Sequence, residues 1–393
     1  MALKIELKHV SKVFGPRPEG VMELVEQGLG KEEILARTGH TVAVRDATLG
    51  IEAGEIFVIM GLSGSGKSTL VRMINRLIEP SAGEILIDGE DTARMDRSQI
   101  VRLRRGHVAM VFQSFALLPH LTVLDNAAFG LDVAGMRRTE RLDHAMEALR
   151  DVGLEGYAQS RPDELSGGMQ QRVGLARALA VKPSVLLMDE AFSALDPLIR
   201  RGMQEDLLEL QEARELTVVF ISHDLGEAMR IGDRIAMMAD GAVSQVGTAR
   251  EILEHPAEPY IRDFFQDVDV TQVYAAEHAV DPEACVIEEH GKWTPEAVAE
   301  RLEAREQSYA HLVDDAQRWL GVMSTASLRS AAGADLRAAL LPDPTCVRAR
   351  TPLGEVLGEV ARTPYPVPVI GRRRRFRGAV SRSSLLNTLE KGA

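Results

Sequence analysis

The chain has 393 residues, room for two or three domains, and its 45% hydrophobic and 26% charged residues mark it as folded rather than disordered. A net charge of −12 argues against a default nucleic-acid binder, and no apolar run approaches the roughly 18 residues of a membrane span. Two cysteines, Cys285 and Cys346, without metal-ligand spacing suit a reducing cytosol and exclude a disulfide framework.

Residues 1–10 alternate apolar and charged side chains and lack the apolar core of a signal peptide. Residues 5–13 read as a strand, 21–27 and 31–38 as short helices, and 42–51 as a second strand. The run Glu55-Ile56-Phe57-Val58-Ile59-Met60 reads as a buried strand ending at a glycine-rich loop, and 67–77 as a helix broken at Glu79-Pro80-Ser81-Ala82-Gly83. Residues 98–156 are expected to be mainly helical around a strand at 108–112. Strands at 185–188 and 218–221, alternating with helices after 168, from 198 and from 226, give an α/β pattern and a largely parallel, helix-covered sheet. Residues 234–238 and 242–246 look like a closing hairpin around Asp240-Gly241.

From Val280 onward there are 16 Lys/Arg against 15 Asp/Glu, whereas the rest has 30 against 43, so the C-terminal block is compositionally distinct. It contains a repeat at an offset of 57: Thr294-Pro295 matches Thr351-Pro352, Trp319 matches Phe376, and Gly321, Ser324 and Leu328 match Gly378, Ser381 and Leu385. Each copy reads as helix, strand, turn, strand, helix. Arg372-Arg373-Arg374-Arg375 falls in the strand-to-strand turn of the second copy, where the first has Asp314-Asp315.

Gly61-Leu62-Ser63-Gly64-Ser65-Gly66-Lys67-Ser68-Thr69 fits the phosphate-loop pattern in full, between a strand and a helix. Glycines let the backbone turn toward phosphates, the helix N-terminus favours an anion, Lys67 reaches the β/γ-phosphates and Ser68 binds Mg²⁺. Val185 to Glu190 is an apolar strand ending in two carboxylates, with Asp189 suited to Mg²⁺ and Glu190 to polarising water as general base. Between these motifs lies Leu165-Ser166-Gly167-Gly168-Met169-Gln170, whose Ser hydroxyl and glycines suit close approach to a triphosphate.

Together these motifs resemble the ATP-binding cassette (ABC) ATPases, with LSGGMQ as the signature. The resemblance implies a P-loop NTPase cassette with a RecA-like core, an antiparallel β subdomain and a helical subdomain. It implies a homodimer in which Ser166, Gly167, Gly168 and Gln170 face the ATP of the partner. It further assigns Gln113 to the Q-loop, which contacts Mg²⁺ and the attacking water, Asp196 in Ser193-Ala194-Leu195-Asp196 to the D-loop, and His223 to the switch histidine. Phe14 resembles the aromatic that stacks on adenine; because residues 16–41 intervene before the sheet resumes, core packing is the alternative.

Glu26-Gln27-Gly28-Leu29, Asn75-Arg76-Leu77-Ile78-Glu79-Pro80, Phe112-Gln113-Ser114-Phe115-Ala116-Leu117 and Met188 to Arg200 narrow the resemblance to ATPase subunits of bacterial glycine betaine/L-proline importers. The resemblance covers almost the whole chain. It implies a cassette at 1–270 with a helical insertion at 16–41, a linker at 271–279, and a tandem pair of α+β CBS modules at 280–393, with copies at about 280–336 and 337–393. It implies permease partners, an indirect solute-binding protein, and a peripheral position on the cytoplasmic face of the bacterial inner membrane. The segment 115–126 would receive the permease; Phe115, Leu117, Leu118 and Leu121 are otherwise plain core. The arginine run is either a solvated hairpin tip or an electrostatic contact to anionic lipid or a regulatory nucleotide. Alternatives are an importer ATPase for another quaternary ammonium or amino-acid solute, an exporter subunit, or a soluble cassette ATPase in nucleic-acid metabolism. The last is disfavoured by the single phosphate loop, the acidic cassette and the lack of a long heptad run.

Overall fold

The computed structural model describes residues 3–112, 116–265, 270–289, 293–371 and 374–392. The chain divides into two compact units, Met1–Phe265 and Gln266–Ala393. Among the described residues no helix is long and apolar enough to cross a membrane.

Two sheets build the first unit. Thr41–Glu52, Leu3–Phe14, Ala82–Ile87 and Glu90–Asp91 form an antiparallel sheet in that order. Ile5, Leu7 and Val10 turn one face of it into a shared core with Leu70, Val71 and Ile74 of the helix Lys67–Ile74. The six-stranded sheet runs Ala242–Gly247, Arg234–Ala239, Ile56–Gly61, Thr217–Ile221, Val185–Asp189, Val108–Val111. It is parallel except at its Ala242–Gly247 edge. Ile56–Gly61, Val185–Asp189 and Thr217–Ile221 are buried at every position, as a sheet covered on both faces requires. Ile221 is paired with both Ile59 and Asp189, so three strands end on one edge and deliver the phosphate loop, the carboxylates and His223 together.

Two sequence expectations needed correction. The helix expected to reach residue 77 stops at Ile74, where Asn75 Oδ1 accepts from the Leu77 amide at 3.1 Å and Arg76 takes a φ of +57°. The stretch after Glu79, read only as a break, leads into the strand Ala82–Ile87. Its pairing partner is Leu3–Phe14, remote in sequence, which local reading does not capture. The region 98–156 is helical at Arg97–Gly106, Val123–Val133 and Arg138–Asp151. The insertion folds as helices Glu19–Glu26 and Lys31–Thr38 over a small core of Val13, Val21, Val25, Ile34 and Val42.

In the second unit the repeat is visible in the backbone. Ala310 pairs with Met323 and Leu312 with Gly321; 57 residues on, Val367 pairs with Val380 and Val369 with Gly378. The outer parallel strand departs from this offset: Leu312 pairs with Ile287 but Val369 with Val347, a displacement of 60. Residues 271–279, read as a linker, bond into this unit: Ala276 N donates to Thr351 O, and Leu353 N to Tyr274 O, both at 2.8 Å. Arg372 and Arg373 lie outside the described residues. Arg374 is exposed, with its guanidinium 5.7 Å from the ring of Trp319 in the first copy.

The copies also meet at His311, whose ring lies 5.1 Å from that of Phe376 and is 1% exposed. Neither ring nitrogen has a hydrogen-bond partner among the described residues, and burial pushes the imidazole from 6.5 down to about 4. The unfolded chain takes up that proton below its ordinary value, the folded chain only near 4. Stability is therefore full above about pH 6.5 and falls as pH drops toward 4, by roughly 2 kcal/mol between pH 7 and 5. Thermal unfolding of His311→Phe is expected to lose this part of the pH dependence; an unchanged slope between pH 7 and 5 would refute the assignment.

Candidate functional site

The phosphate loop joins strand Ile56–Gly61 to helix Lys67–Ile74. Gly61 and Gly66 have φ of +144° and +99°. A Cβ would lie 2.0 Å from Met238 O at the first and 2.2 Å from Ala43 O at the second, so glycine is required at both. Lys67 is 6% exposed, and its Nζ donates to Gly61 O at 2.8 Å and Leu62 O at 2.9 Å. Burial lowers its pKa, and the nearby Glu190 and Asp189 carboxylates oppose that shift.

Asp189 ends its strand at 5% exposure. Ser68 Oγ donates to Asp189 Oδ1 at 2.8 Å, and the Arg72 guanidinium donates to Oδ2 at 3.0 Å. Sequence reading passed over Arg72; its signal was its place one helical turn beyond Ser68. Glu190 has a φ of +49°, costly for a residue with a Cβ, and its carbonyl accepts from Ser193 Oγ at 2.9 Å. His223 Nδ1 stands 3.8 Å from Glu190 Oε1. Below it, Ser222 Oγ donates to Glu227 Oε2 at 2.5 Å and Gln204 Nε2 to Oε1 at 3.1 Å. Burial raises the Glu227 carboxyl, while these two bonds pull it the other way.

A cavity of about 630 Å³ brings together Ser63, Gly64, Gly66, Lys67, Ser68, Thr69, Glu190 and His223. Gly61 and Ser65 lie in the same loop but do not line it. Two further groups do, and sequence reading assigned neither to the site: Thr41, Val42 and Ala43 on a strand, and Lys31, Glu32 and Leu35 on the insertion. Phe14 is 41% exposed, which excludes core packing, yet it is absent from the lining. Its backbone pairs with Thr41, and Lys12 Nζ lies 5.1 Å from its ring centroid. Gln113 lies outside the described residues. Among those described, no three His, Cys, Asp or Glu side chains could hold a metal by themselves. Ser68 and Asp189 present two hard oxygens side by side, which fits Mg²⁺ taking its other ligands from phosphate and water.

The signature stands apart from this cavity. Ser166 caps helix Gly167–Leu179, its Oγ accepting from Met169 N at 3.4 Å, and both Ser166 and Gly167 are exposed. Gln170 turns inward, its Nε2 donating to Pro162 O at 2.9 Å and Leu165 O at 3.2 Å, so it braces its own loop. Asp196 caps helix Pro197–Arg214 by accepting from Leu198 N and Ile199 N, each at 3.1 Å.

Residues 44–193 match the family model described as ABC transporter. The chain is 51% identical, over 100% of its length and 98% of the relative's, to the glycine betaine/proline betaine transport system ATP-binding protein of Salmonella typhimurium. It is 46% identical, over 98% of its length and 92% of the relative's, to the glycine betaine transport ATP-binding protein of Bacillus subtilis. Among solved structures, a dimeric bacterial ABC transporter cassette is similar at 35% identity and a TM-score of 0.53, covering 62% of this chain and 97% of that one. A dimeric cassette in a post-hydrolysis state bound to ADP and Pi is similar at 36% identity and a TM-score of 0.52, with the same coverage.

Gly168 is buried, and a Cβ there would lie 2.5 Å from Ile199 Cγ2. Gly168→Ala should cost about 1–3 kcal/mol of stability by overpacking. Ile199→Ala in the same chain should recover part of that loss. A double-mutant cycle by chemical denaturation with no coupling between the two would contradict this contact.

Proposed function

Because this chain belongs to the ATP-binding subunits of ABC transporters, we propose that it hydrolyses ATP to drive import of glycine betaine- and proline-type solutes. The observation that carries this reading is the single cavity where Lys67, Ser68, Glu190 and His223 converge. The full-length relatives named for glycine betaine transport support the solute class.

In this reading Lys67 leaves the carbonyls of Gly61 and Leu62 for the β/γ-phosphates, with Gly61, Ser63, Gly64, Ser65, Gly66 and Thr69 forming the cradle. Ser68 and Asp189 would hold Mg²⁺, which would supply neutralisation of the phosphate charge. Glu190 polarises the attacking water, and His223, within ion-pair reach of it, faces the γ-phosphate. Gln113 completes the water site. Catalysis here is positioning and charge stabilisation, with no covalent intermediate on the protein.

The chain acts as a homodimer, with Ser166, Gly167 and Gly168 of one copy closing the ATP site of the other. The exposure of Ser166 and Gly167 and their absence from their own cavity support this. Gln170 braces the signature loop and Asp196 caps the helix behind it. Phe14, beside the cavity, stacks on the base. Permease subunits bind along 115–126 at the cytoplasmic face of the inner membrane. Buried Asn126 organises residues 118–126 by donating to Leu118 O at 3.0 Å and accepting from Leu118 N at 2.8 Å; Leu117, Leu118 and Leu121 are half-buried, and Phe115 lies outside the described residues. The C-terminal repeats form a CBS pair that restrains transport at low ionic strength through the basic turn.

Glu190→Gln should bind ATP, accumulate as a dimer and lose about 100-fold or more in turnover; near-normal hydrolysis would reject the general-base role. Reconstitution with the cognate permease in anionic proteoliposomes tests the whole reading: ATP-dependent uptake of glycine betaine is expected, and uptake of neither betaine nor proline would overturn the solute assignment. In the same vesicles, Gln at 372–375 should flatten the salt dependence of ATPase activity; an unchanged salt profile would reject the electrostatic sensor.

A further inference from the structure

The cavity has two chemically different ends. Lys67, Ser68 and their neighbours in the phosphate loop, with Glu190 and His223, make a polar end that takes phosphates, whereas the other end, which Lys31, Glu32 and Thr41 also line, carries the apolar side chains of Leu35, Val42 and Ala43. A nucleotide with its phosphates on the loop has its base at the apolar end, and a volume of about 630 Å³ suits a ligand of that size. Leu35 is 49% exposed at this end, an apolar side chain with half its surface free at the rim of a charged pocket.

The insertion is built to hold Leu35 in place. Ile34, next to it, is fully buried in the core of Val13, Val21, Val25 and Val42, which fixes the rotation of helix Lys31–Thr38. Lys31 and Leu35 are one turn apart and share the face turned to the cavity. Lys31 Nζ binds Asp240 Oδ1 at 2.8 Å and ties the helix start to the turn between Arg234–Ala239 and Ala242–Gly247. At the other end, the His40 ring lies 2.9 Å from Thr38 O and 2.7 Å from Pro16 O, which clasps the two ends of the insertion together.

We propose that helix Lys31–Thr38 is a wall of the purine subsite, with Leu35 packed against the base and the Lys31–Asp240 pair holding the helix against it. This rests on the ATP-binding reading above. It gives the insertion a task in base affinity that Phe14, outside the lining, does not perform alone.

The test compares MgATP with inorganic tripolyphosphate, which shares the phosphates and lacks the base. Both are titrated against the full-length protein, tripolyphosphate as a competitor of a fluorescent ATP analogue. Leu35→Ala should weaken MgATP about 5- to 10-fold and leave tripolyphosphate unchanged. Asp240→Ala, which frees Lys31 without touching the cavity wall, should shift MgATP in the same direction by less. Equal weakening of both ligands, or no change in either, overturns the role of Leu35 while leaving the ATP reading intact. Lys67→Ala should abolish binding of both ligands; if it does not, the phosphate-loop reading fails and this inference fails with it. Unchanged thermal unfolding of Leu35→Ala is expected, since the side chain is half exposed and lies outside the core that Ile34 joins.

Discussion

Asp189 is nearly buried at the end of an apolar strand, and burying a carboxylate costs several kcal/mol unless partners replace its water. Ser68 and Arg72 supply them, both from the helix that follows the phosphate loop. The bond from Ser68 spans 121 residues of sequence and locks that helix to the sheet edge. Much of the site follows from it. Lys67, one residue earlier on the same helix, is fixed within range of both acids, so its charge opposes theirs in a place where burial would otherwise disfavour it. Glu190, one residue past the end of the strand, is thrown into a left-handed turn that carries its carboxylate out of the core toward His223.

The same unit keeps its two halves of chemistry apart. The phosphate loop and carboxylates meet on one sheet edge because Ile56–Gly61, Thr217–Ile221 and Val185–Asp189 are neighbours ending together. The signature helix is oriented by different contacts, the Gln170 brace and the close packing of Gly168 on Ile199. That packing links the signature to the helix capped by Asp196, so a shift in one is felt by the other. The phosphate cradle and the signature are thus positioned by separate sets of contacts within one chain.

The second unit repeats one design with one change. Strand pairing follows the 57-residue offset without deviation across both hairpins, whereas the outer parallel strand slips by three residues. Parallel strands are joined by a long crossover that can absorb extra residues; a hairpin cannot shift its register without turning its side chains to the other face. His311 and Phe376 face each other where the copies meet, and the buried imidazole, without a hydrogen-bond partner among the described residues, makes that contact sensitive to acid.

Local signals carried a large share of this. The phosphate loop, the apolar strands and the helices are legible because glycine placement, burial on both faces and the helical period act over a few residues. The 57-residue repeat is legible because like sequence folds alike. Other features depended on partners far along the chain. The strand Ala82–Ile87 exists because Leu3–Phe14 offers it an edge, and Arg72 matters because Asp189 stands opposite. Leu35 reads in sequence as one more apolar residue on a short helix; only packing turned Ile34 into the core and left Leu35 at the cavity. Sequence alone determined which residues can do this chemistry, since that is a property of side chains and short spacings. Tertiary structure decided which of them meet, because strand order and burial, set by the whole chain, bring residues 121 positions apart to within a hydrogen bond.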